Sequence, residues 1–124
     1  MKQRAAAIDS FEQAVELQPT SAWAQNNYGL ALLYDGRYDE AVAAFEEATE
    51  LSPDTGLMWN NLGLGYEHLD RIEEARFAYK RAMTLDHRPA TQNFVRLEGV
   101  RTLRRTAKVE PEVDVDHPAI DRGL

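Results

Sequence analysis

Residues 57–85 read LMWNNLGLGYEHLDRIEEARFAYKRAMTL, and residues 23–51 read WAQNNYGLALLYDGRYDEAVAAFEEATEL. Laid one above the other at an offset of 34, the two stretches share Asn26/Asn60, Asn27/Asn61, Gly29/Gly63, Leu30/Leu64, Arg37/Arg71, Glu40/Glu74, Ala41/Ala75, Ala48/Ala82 and Leu51/Leu85, with Phe45 answered by Tyr79. The register extends backwards without insertion to Ala7, Phe11, Ala14 and Leu17. Pro19 and Pro53 also match, with His87 in the third place. A fixed period of this length marks a repeat architecture, in which each unit buries its apolar face only against its neighbours.

Within each unit the apolar spacing is helical. Tyr38, Ala41, Val42, Phe45, Ala48 and Leu51 fall three or four residues apart, as do Ile72, Ala75, Ala78, Tyr79, Ala82 and Leu85, and such positions share one helix face. Each of these helices is preceded by another, expected over 21–34 and 55–69. Gly36 is placed to end the first of these in the left-handed conformation a helix C-terminus favours, and Asp70 takes that place in the next. Thr20 or Ser21, and Asp54 or Thr55, are the candidate N-caps. Pro19 and Pro53 break the chain between units. Gly29 and Gly63 lie mid-helix, where glycine costs about 1 kcal/mol against alanine. Their recurrence predicts a close approach of the second helix, with Ala41 and Ala75 as the facing small residues. Phe45 and Tyr79 are expected to fill the space between one hairpin and the next.

Trp59-x2-Leu62-Gly63-x2-Tyr66, then Ala75-x3-Tyr79 and Ala82, resembles the tetratricopeptide repeat signature. The preceding copy, Gln25-x2-Tyr28-Gly29-x2-Leu32, Ala41-x3-Phe45, Ala48 and Pro53, departs from it at the tryptophan, Trp23 lying two residues earlier. The resemblance implies an all-α fold of helical hairpins stacked as a short right-handed superhelix. It divides residues 1–105 into a half repeat (5–21), two repeats (22–55 and 56–89) and a capping helix (90–105), followed by an acidic tail over 106–124. It also implies a concave surface lined by the first helix of each unit. In this register Trp23, Asn26, Leu30, Leu33, Tyr34, Leu57, Asn60, Leu64, Glu67 and His68 are expected to face that groove. The apolar members would anchor a partner's helix or extended peptide, and the two asparagines would bond its backbone. Alternatively Trp23 and Leu57 seal the junctions between hairpins, or the chain's own tail covers the groove. Some relatives bind the C-terminal carboxylate of chaperones through basic groove residues; here the corresponding lining is apolar, with Glu67 acidic.

The first copy is a second helix without its first. Ile8, Phe11 and Val15 therefore form a candidate self-association face, since fully burying such side chains is worth roughly 1.5–3 kcal/mol each. A fragment of a longer array, an oligomer, and a monomer that tolerates the exposure are the three expectations. Charge is uneven. Residues 1–86 carry 7 lysines and arginines against 15 acids, residues 87–105 carry 5 against 1, and residues 106–124 carry 2 against 5. The acidic body opposes a nucleic-acid backbone. Arg96, Arg101, Arg104 and Arg105 are either the solvated face of a cap or a site for an anion, an acidic peptide or the acidic tail. The tail's Pro111, Pro118 and acids predict disorder, with a strand or extended segment docked on a partner chain or on the groove as the alternative.

No catalytic constellation emerges. His68, His87 and His117 have no partner at metal-ligand spacing, and a loose tail cluster of Asp114, Asp116, His117 and Asp121 lacks a frame to hold a cation. With no phosphate loop and no nucleophile elbow, the expectation is no enzyme, no cofactor and no metal. The chain has no cysteine. No signal peptide or membrane-spanning run is seen, so the cytoplasm is the default location. The leading expectation is an interaction scaffold for a protein or peptide partner, with self-assembly through the half repeat as its rival.

Overall fold

A computed structural model describes residues 2–108. The chain forms six helices among the described residues: α1 (Lys2–Leu17), α2 (Ala22–Tyr34), α3 (Tyr38–Leu51), α4 (Gly56–His68), α5 (Ile72–Thr84) and α6 (Pro89–Lys108). Helices α2 and α3 pair as one hairpin and α4 and α5 as the next, while α1 packs on α2, α3 on α4 and α6 on α5. The architecture is the all-helical stack that the 34-residue register implies. Helix α1 begins before residue 5 and α6 continues past residue 105. The remainder of the acidic tail, and with it the loose aspartate–histidine cluster, lies outside the described residues.

The turns show why the register holds. The Arg37 N–H donates to the Leu32 carbonyl at 2.9 Å, and the Arg71 N–H donates to the Tyr66 carbonyl at 2.9 Å. Both close a helix C-terminus around a residue of positive φ, Gly36 at 80° and Asp70 at 60°, the geometry expected of each. Asp86 repeats it at 61°, one residue before His87. Each arginine then forks onto the glutamate three residues on, Arg37 to Glu40 and Arg71 to Glu74. Ser21 caps α2, its Oγ accepting from the Ala24 N–H at 3.2 Å. At α4 the N-cap is Thr55, but its hydroxyl bonds Ser52 Oγ at 2.6 Å and leaves the helix N–H groups alone.

Phe45, Tyr79, Leu32, Met58 and Leu97 are fully buried. The glycines answer to aromatic rings and not to the alanines expected opposite them. A Cβ on Gly29 would lie 2.6 Å from the Phe45 ring, and one on Gly63 2.5 Å from the Tyr79 ring. The other edge of Phe45 reaches the next unit, 3.4 Å from a Cβ on Gly65. Phe45 is thus a wedge between its own hairpin and its neighbour. Ala41 and Ala75 are fully buried in the same core.

Candidate partner groove

The first helices α2 and α4 lie side by side and are tied by buried amides. Asn61 Nδ2 donates to Asn26 Oδ1 at 2.8 Å, and one unit on Asn93 Nδ2 donates to Asn60 Oδ1 at 3.0 Å. Asn26 is only 1% exposed and Asn60 is also buried, so both asparagines expected to bind a partner backbone are spent between helices. Leu33 is likewise buried in the core. These three belong to the stack and not to its surface, because they face the neighbouring helices.

Leu30 and Leu64 are half-buried and rest against the core while keeping a free edge. Leu57 is half-buried; Trp23 at 54% and Tyr34 at 72% are well exposed. Leu64, Glu67 and His68 do converge, and with Arg96 they line a hollow of about 280 Å³. His68 stacks on Tyr38 with ring centres 4.5 Å apart and planes 15° from parallel. Leu30 and Tyr34 instead line a separate, apolar cleft of about 440 Å³ between α1 and α2, together with Ala7, Phe11 and Asn27.

Glu67 organises the first hollow. It accepts from the Tyr79 hydroxyl at 2.7 Å and from both terminal nitrogens of Arg96, at 2.5 and 2.7 Å. Partial burial pushes its pKa up, yet the hydrogen bonds from Arg96 and Tyr79 outweigh this and hold the carboxyl below its ordinary 4.5. Burial first, and then the hydrogen bond to Glu67, drives the Tyr79 phenol well above its usual range. At pH 7 the site therefore holds a carboxylate, a guanidinium and a neutral phenol. None of these is poised for proton transfer near neutrality.

The arginines expected as an anion site are largely engaged with the chain's own α4–α5 acids. Arg96 holds Glu67, Arg101 holds Glu73 at 2.6 Å, and Arg104 holds Asp70 at 2.6 Å. Arg105 is exposed. Of the expected self-association face, Ile8 is only 4% exposed and belongs to the core. Phe11 and Val15 are half-buried, and Leu17 is the more exposed residue. Asn27 holds the register position of Asn61. Its copy Asn61 bonds the preceding first helix, so Asn27 faces the place where such a helix would lie.

Six helices paired into hairpins and stacked side by side define the helical-repeat class of protein. The tetratricopeptide repeat family model matches residues 20–88, and a second model of that family matches residues 1–21. The chain belongs to the tetratricopeptide repeat family. Its fold is similar to that of the first such domain of Spaghetti bound to an HSP90 peptide, with a TM-score of 0.76, 18% identity and 82% of each chain covered. It is also similar to the Sgt2 domain from Aspergillus fumigatus, with a TM-score of 0.77 and 24% identity over 91% of this chain and 77% of that one. The TPR2B domain of yeast Sti1, solved as a pHsp70 complex, gives 0.74 and 17% identity over 79% and 85%. No curated protein matches.

Proposed function

We propose that this chain is a non-enzymatic protein–protein interaction scaffold that takes a helix or extended peptide of a partner along its inner helices. The observation that carries this reading is the pair Leu30 and Leu64, one repeat apart, each half-buried with a free apolar edge beside polar groups that can set orientation. One of the similar folds was solved with an HSP90 peptide bound and another as a pHsp70 complex. A free C-terminal carboxylate is a poor fit here. Among the described residues Arg96 is the only guanidinium lining the Leu64 hollow, and Glu67 already neutralises it and would repel a second carboxylate. The preferred segment presents apolar anchors three or four residues apart. Leu64→Asp should abolish capture of the partner from the source cell while helical content is kept; unchanged capture rejects the groove.

A second reading is self-assembly through the α1–α2 cleft, favoured by its apolar walls of Phe11, Leu30, Ala31 and Tyr34. One face can serve both purposes, since a helix from any source fills it with the same contacts.

A further inference from the structure

The outer face of α5 departs from its copies. At equivalent positions α1 carries Asp9, Glu12, Gln13 and Glu16, and α3 carries Ala43, Glu46, Glu47 and Glu50, but α5 carries Phe77, Lys80, Arg81 and Thr84. Two acidic faces are thus followed by a basic one bearing an aromatic ring. Phe77 is 64% exposed and meets Trp59 edge-on at 6.2 Å, while Arg81 lies over the Trp59 ring at 6.0 Å. Core packing does not require this change, because the same positions carry polar residues or a small alanine in the other copies and none of them is buried there.

The basic face is continuous with the end of α6. A hollow of about 300 Å³ is lined by Arg76, Phe77, Lys80 and Arg81, and a second of about 270 Å³ by Ile72, Arg101, Arg104 and Arg105; Glu73 borders both. Arg76, Arg101 and Arg104 hold Glu98, Glu73 and Asp70. Among the described residues Lys80, Arg81 and Arg105 form no ion pair. A strip of cations with an apolar floor therefore crosses an otherwise acidic molecule of net charge −7.

We propose that this strip is the seat of the chain's own segment Val109–Asp116. Its sequence, VEPEVDVD, places an acid at every second residue: Glu110, Glu112, Asp114 and Asp116. In an extended chain these share one side, with the valines on the other. The described part of helix α6 reaches Lys108, about one helical turn past Arg104 and Arg105. The Arg101–Glu73 and Arg104–Asp70 pairs put that end beside the start of α5. Eight extended residues span roughly 26 Å, more than the ~17 Å of helix from Glu73 to Thr84, so the segment can run along the whole strip. Exposed arginines keep donors beyond those used by Glu73 and Asp70.

The test is amide hydrogen exchange of residues 109–116 in the full chain. At low ionic strength these amides should exchange about tenfold or more slowly than their intrinsic rates. Protection should vanish at about 1 M salt, where the screening length is about 3 Å. Lys80→Glu with Arg105→Glu should remove it, as should Glu112→Lys with Asp114→Lys. The four changes combined should restore it. All these residues lie on the surface or in the tail, and circular dichroism checks that the fold is kept. Intrinsic rates in the wild-type chain, or protection untouched by both charge reversals, overturn the proposal. So does protection that grows with concentration alongside a doubled mass, which gives the strip to a second copy. The groove variant Leu64→Asp should leave this protection unchanged, so the strip and the groove are judged separately.

Discussion

The Tyr79 hydroxyl donates to the Glu67 carboxylate at 2.7 Å while its ring presses on Gly63. One side chain thus closes the α4–α5 hairpin from inside and, through Glu67 and Arg96, fastens α6 to it. A groove residue and a core residue are mechanically the same unit.

Glu67→Gln keeps an acceptor for Tyr79 and loses the charge on Arg96. Arg96 is half exposed, so solvent screens the pair and the cost should be about 1 kcal/mol. The folded carboxyl is held below its ordinary 4.5. Its stabilisation is therefore fully present above that pH and is lost as pH falls through the lower, folded value. Melting curves of wild type and variant should differ by a constant amount from neutral pH down to about 5, then converge in acid.

Glycine to alanine should act in opposite senses at two places. At Gly63 the new methyl would meet the Tyr79 ring at 2.5 Å, and overpacking of this kind costs typically about 1–3 kcal/mol. At Gly99 of α6 nothing lies within 4 Å, so Gly99→Ala should stabilise by up to about 1 kcal/mol through helix propensity. Thermal denaturation of the two variants measures both signs.

Asn26→Ala leaves the buried Asn61 amide without its acceptor. An unpaired buried donor costs about 1–3 kcal/mol. Denaturant titration should register that loss, whereas Asn27→Ala, at an exposed position, should change stability by less than about 0.5 kcal/mol.

For self-assembly the informative variant is Tyr34→Asp, because Tyr34 is 72% exposed and lines the α1–α2 cleft. Light scattering on the wild type should show a species heavier than one chain, reduced to a monomer by this change. A wild-type monomer at all concentrations removes the second functional reading.

The repeat, the helix pairs and the turn residues were legible in the sequence because they depend on local rules. Apolar residues on one helix face and a glycine or aspartate where φ must be positive are each decided within a few residues of chain, and the period of 34 repeats those local choices. The expected groove was only half legible. Leu64, Glu67 and His68 line one hollow, but Asn26, Asn60 and Leu33 turn inward. Which side of a first helix meets its neighbour depends on the rotation between hairpins, across which the Phe45 ring and the asparagine bridges make their contacts. Likewise the charges of α6 were visible in the sequence, while their pairing with Glu67, Asp70 and Glu73 required the helices to be stacked. The sequence by itself determined what the chain repeats. Tertiary packing alone decided which polar groups are consumed in holding the repeats together and which are left to meet a partner.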